Sequence, residues 1–339
     1  MALLFADSFG MYADGLHVQE TTKLLGLWAS QYANFFITDL GNGRKHLKKP
    51  SQATYRPYII SKPFAESATI IVGFRLWNLQ NAGEELLFFL DASAEMGVVH
   101  MNGGGTLSYE VGGITKLTSV GASTTGEGTH WQIKVVFHNS AGEVYFYREG
   151  ILDNSITGID TLSGGSLCDR IKLWEWPHGG FGIQDNTAIS DLWIDSTTLH
   201  GPIKVAYDAL AAAGSSADFT PTGDTPNHAC VDEVGPDDDT TYCLSTVSTD
   251  LDQLTPAGAI TTSKTVIAVA PIVRARKEDA SAVLMKLGLK HGGSHSQGSD
   301  QAPTEAYLYY CDIFEDVPGG SGWTPAQLAA VEGSYENTT

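Results

Sequence analysis

Apolar and polar residues alternate with a period of two along most of the first two thirds of the chain, the pattern of half-buried β-strands. Residues 129–152, THWQIKVVFHNSAGEVYFYREGIL, show it most fully. Trp131, Ile133, Val135 and Phe137 fall on one face, and Val144, Phe146 and Arg148 alternate with Tyr145 and Tyr147. Residues 139–142 between them carry turn chemistry, so the segment predicts a hairpin that belongs to the core. The same reading predicts strands over 67–77, 85–90, 96–101, 107–111, 170–176 and 189–194. Short, evenly spaced strands with polar turns point to an antiparallel sandwich.

A boundary is expected where the last of these strands gives way to Gly201-Pro202, which places one domain at 1–198 and a second at 199–339. In the second, 203–209, 266–276, 283–290 and 306–313 read as strands, and 211–228 as a long loop rich in Ala, Gly, Ser, Pro and Thr. The end reads as a helix over 325–333. Thr324 is suited to the N-cap, Pro325 to the first position and Gln327 to a capping box. Leu328 and Val331 would form its small apolar face, and Gly333 its stop.

Composition narrows the function. The 339 residues carry a net charge of −19, with 13 basic against 20 acidic residues in the first domain and 7 against 19 in the second. Phosphate recognition needs concentrated Lys and Arg, so no nucleic-acid partner is expected. The basic run 44–49 reads as a solvated loop. No apolar run approaches the ~20 residues of a membrane span. No leader pattern stands at the N-terminus, so a soluble protein made in a cytoplasm is expected. Cys168, Cys230, Cys243 and Cys311 are too few and too spread for a disulfide scaffold, and free buried thiols are favoured over a Cys230–Cys243 pair.

The chain carries little recognisable catalytic chemistry. Glu84 and Glu85 are adjacent and would point to opposite faces of a strand, Glu175 stands alone, and Asp232-Glu233 falls in a loop. None supplies the spaced carboxylate pair of a glycosidase. No nucleophile elbow or zinc-protease frame is present, so no catalytic residue is assigned and no enzyme is expected. Trp174, Trp176 and His178, at a Gly-rich loop, are the candidates for stacking on a sugar, with packing the favoured role for the tryptophans. No cofactor is expected. Asp237, Asp238 and Asp239 could offer calcium hard oxygen ligands, but a solvated acidic turn is the favoured reading.

Order and spacing carry a resemblance. The Trp-led strand, the turn and the Tyr147-to-Gly150 ending resemble the back hairpin of laminin-G-like, concanavalin A-like jelly rolls. Phe5 to Phe9, SATIIVGFRLW (67–77) and ISDLWIDS (189–196) occupy the matching first, inner and closing positions. Residues 217–221, 227–233, 236–242, 275–280 and 322–324 resemble an acidic module found behind such a jelly roll in tailed-bacteriophage virion proteins. The resemblance implies an all-β chain: a concanavalin A-like (laminin-G-like) jelly-roll sandwich, then a second β-sandwich domain with a short C-terminal helix. It implies an accessory, decoration-type virion structural protein on the capsid or tail exterior, made in the host cytoplasm. Such a protein would contact other virion proteins and form a homo-oligomer. The alternative is a carbohydrate-binding receptor module of a tail fibre or spike that meets a host glycan. A glycan hydrolase is the remaining alternative.

Overall fold

The computed structural model describes residues 3–7, 9, 28–32, 36–39, 45–48, 58–77, 84–124, 128–175, 187–210, 212–232, 237–256 and 265–339. They divide between Ala206 and Tyr207 into two compact units. The jelly-roll unit contains β1 (Leu3–Asp7), β2 (Trp28–Tyr32), β3 (Phe36–Asp39), β4 (Lys45–Lys48), β5 (Tyr58–Ser61), β6 (Thr69–Trp77), β7 (Glu84–Asp91) and β8 (Ala94–Met101). It continues with β9 (Leu107–Val111), β10 (Ile114–Thr118), β11 (Thr129–Val136), β12 (Gly142–Arg148), β13 (Ile151–Ile159), β14 (Arg170–Glu175) and β15 (Ala188–Asp195).

These strands form two antiparallel sheets. One is eight-stranded, in the order β13-β12-β11-β6-β15-β4-β3 with β1 also on β15; the other is seven-stranded, β10-β9-β8-β7-β14-β5-β2. The closing strand lies beside the first, as the resemblance implies, with Ala6 opposite Trp193. Between the sheets lie Val72, Phe74, Trp131, Ile133, Val135, Val144 and Phe146 from one and Leu87, Phe89, Val99 and Tyr109 from the other, all fully buried. Trp131 meets Phe146 edge-on at 6.4 Å, and its indole N–H donates to Ser123 Oγ at 2.7 Å. Burying each large side chain contributes roughly 1.5–3 kcal/mol, and an aromatic pair adds about 0.5–1.5 kcal/mol.

The β12–β13 connection is a two-residue loop, Glu149 (φ 50°) and Gly150 (φ 80°). Positive φ at both positions is the hairpin turn that matches strand twist. It accounts for the Tyr-x-x-Gly ending.

The second unit contains β16 (Ala212–Ala217), β17 (Thr220–Thr222), β18 (Tyr242–Leu244), β19 (Leu251–Thr255), β20 (Ile272–Ala275), β21 (Met285–His291), β22 (Ser294–Gln297), β23 (Leu308–Cys311), the one-turn helix α1 (Pro325–Leu328) and β24 (Glu332–Asn337). A five-stranded antiparallel sheet runs β16-β19-β24-β21-β22, with β17-β18 and β20-β23 as separate ladders. Met285 and Leu287 of the sheet pack with Tyr310, Leu308 and Val273 of the β20-β23 ladder. Leu289 packs with Val317, Trp323, Leu328 and Val331. A small two-layer β-sandwich results, as expected.

Several local expectations change. Residues 45–48 of the basic run form strand β4, with Leu47 fully buried. Residues 203–209 form no strand; as far as Ala206 the chain after β15 is a strap on the jelly roll. The contact division accordingly falls after Ala206, later than residue 198. The supposed 211–228 loop holds β16, β17 and a 3-10 turn at Asn227–Cys230. The terminal helix starts where predicted, with the expected capping box, in which Gln327 Oε1 accepts the Thr324 N–H at 2.8 Å. It stops after one turn. Gly333 is no helix stop. It lies in β24, between β19 and β21, and leaves room for Leu210.

Candidate functional site

The outer face of the eight-stranded sheet is built from residues that the core hairpin turns away from the core. Strand register places them in three cross-strand rows. Tyr147, Gln132, Gly73 and Trp193 form the middle row, and Tyr145, Lys134, Ile71 and Asp195 the next. In the third row His130 stands opposite Arg75, and Arg75 opposite Ser190; the Glu149 N–H donates to the His130 carbonyl at 2.9 Å.

One half of this face is covered by its own chain. The Trp193 ring lies over Gly73, and His200 meets that ring edge-on at 5.1 Å. The strap that follows β15 is tied down at three places. His200 Nε2 pairs with Asp195 Oδ2 at 2.7 Å, the Gly201 N–H donates to Gln132 Oε1 at 3.0 Å, and the Val205 N–H donates to Asp191 Oδ1 at 3.0 Å. Burial works to raise the Asp195 pKa, but His200 and the N–H groups of Thr197 and Thr198 outweigh it and hold the carboxyl below its ordinary range.

The other half is open. Tyr145 and Tyr147 are half-buried, with near-parallel rings at 6.4 Å and an interplanar angle of 23°. Lys134 Nζ sits 5.0 Å from the centre of the Tyr145 ring, and the Tyr145 hydroxyl donates to Glu143 Oε2 at 2.9 Å. That bond raises the Tyr145 pKa, and burial raises that of Tyr147, so both phenols stay neutral donors at physiological pH. Beside them Arg75 lies between two carboxylates. Glu149 Oε1 is 3.7 Å from its Nη1 and accepts the His130 N–H at 2.7 Å; Asp191 Oδ2 is 3.9 Å from its Nε. Glu149 is exposed, whereas His130 and Asp191 are buried. The open half thus combines flat apolar rings with donors and acceptors at their rim.

Of the residues predicted from sequence, Trp174 and Asp237 to Asp239 fall among the described residues. Trp174 is fully buried and takes no part in surface stacking. Its φ of 56° breaks the alternation of β14, so consecutive Leu173 and Trp174 both turn into the core. Trp176 and His178 lie outside the described residues. The acidic run lies in a turn, with Asp237 and Asp239 exposed and its carboxylates engaged in pairs. Asp238 forms a two-point pair with the Arg274 guanidinium at 2.6 and 2.9 Å. Asp239 pairs with Arg276 at 2.7 Å and accepts the Tyr307 hydroxyl at 3.0 Å, and Asp237 accepts from Thr241. Among the described residues no three His, Cys, Asp or Glu side chains gather as a metal site. His295 is exposed and bonds Ser334 Oγ at 2.8 Å, and desolvation lowers its pKa.

Tyr145 and Tyr147 are within reach of the sequence. They occupy the opposite parity from Val144 and Phe146, so a strand that buries the latter must present the former on its other face. Assigning the whole hairpin to the core overlooks that second face.

No known family's sequence profile matches the chain, and no curated protein matches it in sequence. Similar solved structures include an endo-β-1,4-glucuronan lyase from the fungus Trichoderma reesei, at 10% identity over 52% of this chain and 94% of that one, with a TM-score of 0.39. An alginate lyase from a Chlorella virus matches at 10% identity over 51% and 91%, TM-score 0.38. An endo-1,3-β-glucanase from Streptomyces sioyaensis matches at 13% identity over 57% and 95%, TM-score 0.39. The expectation that the protein is not an enzyme is withdrawn: these similar solved structures are a glucuronan lyase, an alginate lyase and a glucanase.

Proposed function

We propose that this protein binds carbohydrate on the open half of the outer face of its eight-stranded sheet. The observation that carries this reading is the half-buried Tyr145–Tyr147 pair with Lys134, Glu143 and Glu149 at its rim. Sugar rings offer an apolar face to aromatic rings and hydroxyls to polar neighbours, and this surface has both. A second reading, chemical processing of the bound glycan, is favoured by the adjacent row of Glu149, His130, Arg75 and Asp191. That row sets one exposed and one buried carboxylate about an arginine. The setting, taken from the phage-like acidic module, is the exterior of a virion, as a receptor-binding or accessory component in contact with other virion proteins and present in several copies.

A glycan array followed by calorimetry tests the binding. Tyr145→Ala and Tyr147→Ala are each expected to weaken binding about tenfold, on the order of 1.4 kcal/mol, from lost stacking and burial. Flat arrays, or unchanged affinity in the double variant, reject this face as the site. Release of chain ends from a bound polysaccharide, abolished by Glu149→Gln, would establish the processing reading; its absence under saturation would sink it. Quantitative mass spectrometry of purified particles tests the setting, which fails if the polypeptide is missing from them.

A further inference from the structure

Two of the four cysteines meet in the second unit. β17 and β18 pair with Pro221 opposite Cys243, and the 3-10 turn Asn227–Cys230 holds the other thiol. Cys230 Sγ lies 3.0 Å from the Asp224 carbonyl oxygen and 3.6 Å from that of Thr222; Cys243 Sγ lies 3.4 Å from that of Asn227. Both thiols thus reach backbone carbonyls of the single segment 222–227. Cys230 is buried and Cys243 half-buried, and both are free.

We propose that Cys230 and Cys243 form a dithiol that closes to a disulfide by exchange with a low-molecular-weight disulfide. The half-buried Cys243 reacts first. Its thiolate attacks one sulfur of the small disulfide, that S–S bond breaks, and one small thiol leaves with the proton Cys243 gave up. Cys230, on the turn whose Asn227 carbonyl Cys243 Sγ touches, loses its proton and attacks Cys243 Sγ, and the second small thiol leaves carrying that proton. The protein loses two electrons and the small disulfide gains them. The product ties β18 to the turn that carries Asn227, whose side chain holds the buried Asp252.

Burial pushes the Cys243 pKa up to about 12, so its thiolate is scarce at neutral pH. Closure is expected to be slow there and to accelerate about tenfold per pH unit toward alkaline conditions. The folded full-length chain is incubated with oxidised glutathione, its remaining thiols are alkylated, and the product is cleaved at carboxylates. Residues 232–239 supply such sites between the two cysteines. The expected product is one linked peptide pair joining Cys230 and Cys243, lighter by two hydrogens, which returns to free thiols on reduction. Glutathione adducts at either cysteine without the linked pair, or full alkylation of both after oxidation, overturns the proposal. In Cys243→Ser the linked pair disappears, whereas in Cys311→Ser it persists; the wild-type measurement stands even if the first variant fails to fold.

Discussion

Gly73→Val is expected to destabilise the jelly roll by at least about 3 kcal/mol, toward the upper end of overpacking costs. A Cβ at this position would lie 2.0 Å from Trp193 Cε2 and 2.2 Å from its Nε1. Neither side can give way. Gly73 pairs on both flanks, with Gln132 of β11 and Trp193 of β15, so its backbone is fixed in the middle of the sheet. The indole is fully buried, with His200 against its edge, and His200 is anchored on Asp195. Displacing the ring would therefore also lift the strap from the outer face. Thermal unfolding should show the loss as a fall of roughly 6–12 °C, given ~2–4 °C per kcal/mol for a unit of this size. Combining the change with Trp193→Ala should recover part of it, because the space the valine needs is vacated. An unaltered melting temperature in Gly73→Val would show that Trp193 does not lie where the sheet places it.

Gly73 also marks what a single sequence can and cannot disclose. The strand around it is plain from the apolar run 67–77, and so are the hairpin partner β11–β12 and the closing strand β15. In each of these, alternation or continuous apolarity is long enough to set the period. The close approach of Trp193 depends on register between strands far apart in the chain, which no local pattern encodes. Elements with weak local signals escape for the same reason. β24 reads EGSYEN, a polar string with a glycine, yet it is the middle strand of its sheet because β19 and β21 supply pairing on both sides. The short β4 looks like a charged loop until its pairing buries Leu47. Trp174 packs inward, the role favoured for it over stacking on a sugar, and a positive φ lets it do so beside Leu173. The open face at Tyr145 and Tyr147 follows from parity alone, whereas the arginine beside it, held between Glu149 and Asp191, requires three strands in register.

The second unit has an equally concentrated weak point in Asp252. Its carboxylate is fully buried and accepts three hydrogen bonds: from the Phe219 N–H at 2.9 Å, from Asn227 Nδ2 at 2.7 Å and from the Tyr335 hydroxyl at 2.9 Å. These donors come from the β16–β17 connection, the 3-10 turn and β24, so one side chain joins three separate segments. Tyr335 remains a donor at any physiological pH, because burial holds its pKa well above the ordinary phenol value. It is fixed further by the Phe219 ring, edge-on at 4.9 Å. Asp252→Ala would leave all three donors buried without this acceptor, each at about 1–3 kcal/mol, and the expected total is roughly 3–5 kcal/mol once partial relaxation is allowed. Asp252→Asn keeps the shape and one acceptor oxygen but brings an NH₂ toward donors that cannot receive it, so it should recover only part of the loss. Hydrogen exchange followed by mass spectrometry localises the effect. Peptides covering β16, β19 and β24 should lose protection in Asp252→Ala, while those covering β6, β11 and β12 keep theirs. Protection retained throughout the second unit would mean that the three segments are held by the apolar contacts of Met285, Leu287 and Tyr310, and that the carboxylate merely fills the space between them.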